Sequence, residues 1–469
     1  MLFPSDTIAA IATPPGEGAI AIIRISGPDT FVYADRVFRS KNGKLCQKLP
    51  GYSVTYGKFV SSTGEEIDDG LITLFRSPHS YTGEDAAEIS CHGGTAVVAR
   101  LFQAALYAGA RPAEPGEFTL RAFLNGKMDL ARAEAVADLI RARSDSAARA
   151  ARSQLEGSLS IAIHALREEI ISIIASIEVT IDFSEEVGEL DYSLLLTRIQ
   201  SVLDRTEKLL KSAKHGRQIR EGIKVTLIGR PNSGKSSLMN RLLETERAIV
   251  TPHPGTTRDL LEESLAIHGI NFVLTDTAGI RNSEDTVENI GIERARQSSA
   301  LSDMSLFIVD AEAGIGEEER SIAALLTQSD AQVLCVINKC DLVSDELSDL
   351  HKKTLQILLP KIEECLVVSA VTEYNITLLK DAITRFPGLQ TIDSSDFESG
   401  LITSERHKKA LQNVESSLLQ AVMSSIQQMP GDFISIDLRA ALDSLGLITG
   451  ETVTDEIIHK IFHDFCVGK

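Results

Sequence analysis

The chain has 469 residues, 43% of them hydrophobic, which is enough for about three domains with cores of their own. A formal net charge of −19 repels polyanions on average, so contact with a nucleic acid requires a local basic patch or a partner. The six cysteines include no C-x-x-C pair, which argues against a disulfide framework or a zinc site and favours the reducing cytoplasm.

Two features predict a soluble protein without a membrane segment. Residues 1–18 lack a basic stretch followed by an apolar core, so no export signal is expected. The most apolar long stretch, residues 161–183, is interrupted by charged residues such as Arg167 and Glu178, which cannot lie in hydrocarbon.

The first two segments differ in their pattern. Residues 1–120 contain short β-rich runs, such as 19–26 and 70–75, separated by glycine and proline turns, and predict an α+β domain. Residues 121–215 carry apolar side chains at three- and four-residue spacing, which predicts the first half of a helical domain.

An α/β segment then interrupts the helical pattern. Residues 216–385 alternate β runs with helical stretches, as in a parallel sheet with crossover helices. Residues 386–469 return to the helical pattern. We therefore predict a multidomain α/β and α+β fold in which an α/β domain is inserted into a discontinuous all-α domain. The basic stretch 211–222 is interpreted as a hinge into the inserted domain.

A phosphate-binding motif follows the first β run of the inserted domain. GRPNSGKS, residues 229–236, matches G-x-x-x-x-G-K-[ST] directly after KVTLI. Its glycines let backbone N–H groups converge on phosphate oxygens, while Lys235 can reach the β- and γ-phosphates and the Ser236 hydroxyl can bind Mg²⁺. Because such a motif can occur by chance, the segments that follow it decide the interpretation.

Three further motifs occur in the order expected of a GTPase. In DTAG, Asp276 can hold the Mg²⁺ shell and Gly279 can donate an N–H to the γ-phosphate. In NKCD, Asp341 can accept from two donors of guanine, which the edge of adenine does not offer. Ser369 and Ala370 end a β run and could contact the guanine carbonyl oxygen through a backbone N–H. The sequence therefore predicts GTP binding.

The residues expected to catalyse hydrolysis depart from the commonest pattern. GTTRD, residues 255–259, is a candidate switch in which Thr257 would bind Mg²⁺, although threonines in a polar loop also form turns. Many GTPases orient the attacking water with a glutamine after D-x-x-G, and here that position is Ile280. Asn232 offers an oxygen that could help hold a monovalent cation in place of an arginine, or it could make loop hydrogen bonds only.

Two cysteines invite opposed interpretations. Cys91 and His92 are adjacent and could form a nucleophile pair, but the two glycines that follow favour a tight turn. The chain closes with FCVGK, in which Gly468 and Lys469 violate the prenylation pattern, so Cys466 is interpreted from the residues alone as a thiol packed under a C-terminal helix. An N-cap box at residues 452–455 predicts the start of that helix.

These motifs, with IVTPHPGTTRD and the terminal CVGK, resemble the MnmE (TrmE) family of tRNA modification GTPases over the whole chain. The resemblance implies a homodimer that hydrolyses GTP with K⁺ and Mg²⁺, and that modifies C5 of the wobble uridine of certain tRNAs with an MnmG/GidA-type FAD flavoprotein in a heterotetramer. The alternative is a GTP-dependent RNA-binding or ribosome-assembly switch without substrate chemistry. A reduced-folate pocket in the first domain would distinguish the two.

The resemblance also assigns residues in the inserted domain. It implies potassium ligands at Asn232, Thr256 and the main chains of Thr251 and His253, and it implies that Glu288 positions the water, where the alternative is a solvated helix carboxylate. Ser236 and Thr257 remain the Mg²⁺ ligands. The residues assigned to bound nucleotide and its ions are Asn232, Ser233, Gly234, Lys235, Ser236, Ser237, Thr251, Thr256, Thr257, Asp276, Thr277, Ala278, Gly279, Asn338, Lys339, Asp341, Ser369 and Ala370.

In the first domain the resemblance implies a site for 5-formyltetrahydrofolate or a related reduced folate. The positions that fit are Arg24, Glu88 and Lys127, each of which could otherwise be an ordinary surface charge. The tail would lie beside this folate, with Cys466 as a functional thiol and Lys469 as a ligand contact.

Overall fold

The structure is a computed structural model that describes residues 6–244, 262–276, 302–329, 331–360, 362, 364–385 and 400–469. The chain divides into two compact units. The first consists of Met1–Ala137, Gln154–Leu203 and Asn413–Lys469, and the second of Asp138–Ser153 and Asp204–Gln412. Across the ranges described, we find no helix with the length and apolar character needed to cross a bilayer.

The first unit contains a seven-stranded sheet in the order β3-β4-β5-β6-β2-β1-β7, in which β1 and β7 are parallel and the other neighbours antiparallel. The strands are β1 Ile8–Ile11, β2 Gly18–Ser26, β3 Phe38–Ser40, β4 Ser53–Val60, β5 Glu66–Phe75, β6 Ala86–Gly93 and β7 Arg111–Pro112.

Alternation along the strands separates the two faces of this sheet. Ile23 and Ile25 are fully buried in a core that also contains residues of helices α1 Thr30–Val37 and α2 Thr95–Tyr107. Arg24 lies between them in β2 and is paired in register with Glu88 of β6. Because successive side chains of a strand point to opposite faces, Arg24 and Glu88 share the face away from that core.

Helices make up the segments outside the two sheets, and four of them include residues of both units, namely Leu130–Arg141, Asp145–Glu156, Tyr192–Glu221 and Glu405–Ile426. The terminal helix packs onto the helices Glu117–Leu124 and Leu130–Arg141 in a core that includes Leu120, Leu130, Ile458, Phe462 and Phe465. The helices from the middle of the chain are α3 Glu117–Leu124, α4 Leu130–Arg141, α5 Asp145–Glu156, α6 Ser158–Asp182, α7 Ser184–Val187 and α8 Tyr192–Glu221. Near the end of the chain are α13 Glu405–Ile426, α14 Gly431–Thr449 and α15 Asp455–His463.

The second unit contains a six-stranded sheet in the order β13-β12-β11-β8-β10-β9, parallel except for the edge strand β9. Apolar cores cover both faces, which explains why every residue of Met304–Asp310 is buried. The strands are β8 Ile223–Ile228, β9 Glu262–Ile267, β10 Ile270–Asp276, β11 Met304–Asp310, β12 Gln332–Asn338 and β13 Glu364–Val367. The helices are α9 Lys235–Glu244, α10 Glu317–Thr327, α11 Asp345–Leu358 and α12 Ile376–Thr384.

The predicted fold class is confirmed, and the structure corrects three details. The basic stretch interpreted as a hinge is helical, because α8 continues to Glu221 and β8 begins at Ile223. The cap of the last helix is Thr454 rather than Thr452, whose hydroxyl instead donates to the carbonyl of Asp443 at 2.8 Å. The antiparallel edge strand β9 was not predicted. The four-part division of the chain stays a prediction.

Candidate functional site: a nucleotide site and a C-terminal tail

The phosphate loop joins β8 to α9, and two of its residues have left-handed backbone conformations. Asn232 has φ of 65°, which asparagine tolerates better than most residues, and Gly234 has φ of +90°. A Cβ on Gly234 would lie 2.2 Å from the Nδ2 atom of Asn338, so this position requires glycine. The N-terminus of α9, which begins at Lys235, lies directly after the loop and favours anions.

Four carbonyl groups of the loop are bonded by side chains. The Lys235 ammonium, which is buried, donates to the carbonyls of Gly229 at 2.7 Å and Arg230 at 2.8 Å. Lys339 donates to the carbonyl of Asn232 at 2.8 Å, and Asn338 donates to that of Ser233 at 3.1 Å. Because the C=O and N–H of a trans peptide point in opposite directions, the last contact turns the N–H of Gly234 away from Asn338. These four bonds fix the conformation of the loop.

The predicted base motif supplies these contacts. Asn338 is the last residue of β12, and its Oδ1 atom accepts from the N–H of Ala370 at 3.2 Å. Ser369 is fully buried, whereas Asp341 lies exposed in the 3-10 turn Cys340–Leu342. The N–H of Ala370, predicted to meet guanine, thus donates to Asn338 here. The guanine contacts of Asp341 and Ala370 stay predictions.

Asp310, at the carboxyl end of β11, was missed by the sequence analysis. Its Oδ2 atom is 2.7 Å from the ammonium of Lys339, and the N–H groups of Glu312 and Ala313 donate to its Oδ1 atom. Burial by itself would raise the pKa of this carboxyl, but Lys339 and the two N–H groups outweigh burial and hold the pKa below its ordinary value. An acidic residue at a strand end beside NKCD was the available signal, because the carboxyl ends of parallel strands share one edge of the sheet.

Several assigned residues lie outside the described residues. They are Thr251, His253, Thr256, Thr257, Thr277, Ala278, Gly279 and Glu288, together with the side chain of Asp276, whose backbone ends β10. The described metal candidates are Asn232 and Ser236, both with exposed side chains. In the ranges that the structure covers, no group of three or more His, Cys, Asp or Glu side chains could hold a metal.

The last residues of the chain lie against the sheet of the first unit. The N–H of Gly116 donates to the carbonyl of Cys466 at 3.3 Å, and Arg24 donates to the carbonyl of Gly468 at 3.1 Å. Phe465 is buried, but Cys466 is exposed. The interpretation of Cys466 as a packed thiol is therefore wrong, because Phe465 fills the core and the next side chain points outward.

Arg24 is the centre of this second site. Its Nε and Nη2 atoms are 3.0 Å and 2.8 Å from Oε1 of Glu88, and its Cζ atom lies 5.7 Å and 5.6 Å from the ring centres of Tyr81 and Phe118. Burial and the charge of Arg24 lower the pKa of the half-buried Lys469 ammonium, although Glu88 and Cys466 act in the opposite direction. The tail thus brings the Lys469 ammonium to the Arg24–Glu88 pair, and the thiol of Cys466 lies near that ammonium.

Lys127 makes a different contact. Its ammonium donates to the carbonyl of Pro78 at 2.9 Å, separately from the Arg24–Glu88 pair. Its assignment to a folate therefore stays a prediction. Tyr81 and Phe118 were not predicted, because aromatic residues far from any motif carry no signal of their own in one sequence.

The Cys91–His92 pair is not a nucleophile pair. Adjacent residues of β6 point to opposite faces, so Cys91 is buried, with burial raising the pKa of its thiol to about 11, while His92 is exposed. Nδ1 of His92 lies 2.8 Å from Asp68, and this hydrogen bond raises the pKa of the imidazole. The pair cannot cooperate at one substrate atom.

Comparison with known proteins agrees with this architecture. A family model described as "GTP-binding protein TrmE N-terminus" matches residues 7–127, and one described as "MnmE helical domain" matches residues 130–466. Proteins named "tRNA modification GTPase MnmE" are similar over nearly their whole length. The one from Desulforamulus reducens is 41% identical over 99% of each chain, and the one from Carboxydothermus hydrogenoformans is 42% identical over 99% of each. The Enterococcus faecalis protein is 43% identical over 99% of this chain and 98% of its own.

One of the solved structures that match part of the chain is that of Era. Era in complex with MgGDPNP and a segment of 16S ribosomal RNA has 26% identity and a TM-score of 0.30, covering 42% of this chain and 67% of that one, which is too low a score to carry a conclusion. The full-length relatives and the two family models, by contrast, confirm the family predicted from the motifs. This chain belongs to the MnmE family of tRNA modification GTPases.

Proposed function

We propose that this protein is a potassium-dependent GTPase that, with a flavoprotein partner, modifies C5 of the wobble uridine of certain tRNAs, using a one-carbon folate for carboxymethylaminomethyl or aminomethyl addition. GTP hydrolysis and tRNA modification follow from membership of the family. The observation that carries the finer proposal is the tail held against the Arg24–Glu88 pair by the bond from Arg24 to Gly468 at 3.1 Å. An assembly switch without substrate chemistry has no use for such a site.

The nucleotide would be bound by the phosphate loop. Lys235 would exchange the carbonyls of Gly229 and Arg230 for phosphate oxygens, and Asp341 would select guanine. Oxygen donors of the type that Asn232 and Ser236 carry suit K⁺ and Mg²⁺ respectively. When bound, these ions would supply positive charge where negative charge develops on the phosphates.

The folate would occupy the site around Arg24. Arg24 and Lys469 are cations suited to carboxylates, and Glu88, whose side chain is 27% exposed, is an acceptor suited to the donors of a pterin edge. Tyr81, which is partly exposed beside Arg24, is a face for a flat ring, whereas Phe118 is fully buried and supports Arg24. Cys466 is exposed beside these groups and is the thiol available for chemistry.

Calorimetry with 5-formyltetrahydrofolate tests the site. We expect saturable binding that Arg24→Ala weakens strongly, because this variant removes the central cation. Arg100→Ala is the control, since Arg100 forms an ion pair with Glu65, is 48% exposed and has no part in the site. Absence of saturable binding to the native protein would refute the folate proposal.

The cation requirement is tested by exchanging K⁺ for Na⁺ at constant ionic strength. We expect the GTPase rate to be much higher in K⁺ and Asn232→Ala to abolish the difference. A rate indifferent to the exchange refutes the role of Asn232.

Base selection is tested with Asp341→Asn. Because an amide reverses one donor and acceptor relation, this variant should lose preference for GTP and accept XTP. Unchanged selectivity in competition assays contradicts the assignment of Asp341.

The thiol is tested with Cys466→Ser. We expect tRNA modification to fall while GTP hydrolysis stays nearly intact, because the tail and the nucleotide site belong to different units of the chain. Normal modification in cells that carry the variant would remove Cys466 from the mechanism.

The homodimer, the flavoprotein partner and a cytoplasmic location are parts of the same proposal.

A further inference from the structure

The second residue of the phosphate loop reaches a buried carboxylate. Nε of Arg230 lies 3.2 Å from Oε1 of Glu319, a residue of the first turn of α10 that is 1% exposed. The contact is an ion pair only, because this oxygen makes no hydrogen bond with the described residues. The other oxygen of Glu319 accepts the N–H of Gly316 at 2.8 Å. Glu319 therefore links the start of α10 to the phosphate loop.

Helix capping does not account for a buried charge at this position. The bond from Gly316 requires one acceptor oxygen, which a neutral glutamine would also provide. The adjacent Glu317 and Glu318 are exposed and already place negative charge at the positive end of the helix. Since a buried carboxylate is costly unless it is paired, the charge of Glu319 is explained by Arg230.

Arg230 also contacts Lys235 through its backbone carbonyl. The carbonyl of Arg230 accepts from the Lys235 ammonium at 2.8 Å, so residue 230 is held by its side chain at Glu319 and by its carbonyl at Lys235. Its neighbour Gly229 accepts from the same ammonium at 2.7 Å. A loop fixed at this residue loses less conformational entropy when phosphate replaces the two carbonyls.

We propose that Glu319 is a positioning residue of the GTP site. It anchors Arg230 and so keeps the phosphate loop in the conformation that binds phosphate. It also pairs with the positive charge of Arg230, so that this charge does not bind the nucleotide. This role requires GTP binding and hydrolysis only. It is independent of the potassium, folate and flavoprotein proposals, and their failure would leave it standing.

Glu319→Gln tests the proposal, with Glu318→Gln as the matched control on the exposed side of the same helical turn. Glutamine keeps the shape and the bond from Gly316 but releases Arg230. We expect the Kd for GTP and GDP and the KM for GTP to rise about tenfold, which corresponds to about 1.4 kcal/mol, with kcat at saturating GTP nearly unchanged. Glu318→Gln should change none of these values.

A rise in KM at nearly unchanged kcat distinguishes a positioning role of Glu319 from a role in stability only. A Kd within twofold of native, a fall in kcat at unchanged KM, or an equal effect of Glu318→Gln would overturn the proposal. If Glu319→Gln does not fold, Arg230→Lys replaces it. This variant keeps a cation but loses the Nε atom that lies 3.2 Å from Glu319, and we expect a smaller rise in KM. An unchanged KM in Arg230→Lys would also overturn it.

Discussion

Gly468 is the residue on which the position of the C-terminal tail depends. Its φ of +95° is disfavoured for any other residue, and a Cβ would lie 2.7 Å from the carbonyl oxygen of Ile11 and 3.0 Å from the Cα atom of Ala12. Both obstacles are backbone atoms, which cannot swing aside. Gly468→Ala therefore displaces the tail and breaks the bond from Arg24 to the carbonyl of residue 468.

The free-energy cost of Gly468→Ala is confined to the tail and has an upper limit. Backbone strain of this kind costs about 1–3 kcal/mol, but the last residues can detach and relieve it at the loss of about one charge-assisted hydrogen bond. We expect a destabilisation of the docked tail by about 2 kcal/mol, or roughly thirtyfold in its docking equilibrium, with little change in global unfolding. GTP hydrolysis should be unaffected.

Hydrogen–deuterium exchange of the peptide covering residues 465–469 measures the docking directly. Gly64→Ala is the matched control, because Gly64 has a φ of +86° but no atom within 4 Å of an added Cβ. Tail exchange should accelerate in Gly468→Ala only, and folate binding, if the proposed site is correct, should weaken with it. Equal and slow exchange in both variants would refute the steric argument.

Three further predictions concern buried or titrating groups. Ser233→Ala should raise the free energy of unfolding by about 1 kcal/mol, because the buried Ser233 hydroxyl has no hydrogen-bond partner among the described residues; a loss of stability in denaturant titration would contradict this. Asp310 has a lowered pKa in the fold, so the stability that it contributes is present above about pH 4 and is lost as pH falls through the folded pKa. Asp310→Asn should therefore flatten the acid dependence of unfolding, as Lys339→Met should, and an unchanged acid profile would count against the pair. Iodoacetamide at pH 8 should label the exposed Cys466 in the folded protein and Cys91 only after unfolding, and peptide mass spectrometry that finds Cys91 labelled first would refute the burial argument.

Motifs that follow the ends of strands could be predicted from the sequence. The phosphate loop and NKCD follow runs of apolar residues, and parallel strands bring their carboxyl ends to one edge, so the meeting of these two motifs, seen in the bonds from Asn338 to Ser233 and from Lys339 to Asn232, follows from pattern and topology. The inserted α/β domain was predicted from the alternation of β runs with helical stretches, and the family from the resemblance of these motifs and the terminal CVGK. The N-cap box at residues 452–455 predicted the start of the last helix to within two residues, because a local pattern does not decide which of Thr452 and Thr454 is followed by helical backbone.

Contacts between distant parts of the chain could not be read in this way. Arg24 meets Gly468 across 444 positions, Arg230 meets Glu319 without belonging to a shared motif, and the exposure of Cys466 depends on Phe465 filling the core. Periodicity reports which face of an element is apolar, but it does not report which distant element covers that face. Residue types and their local order therefore specify a GTP-binding sheet, while packing of the complete chain selects which tail, carboxylate and arginine act together.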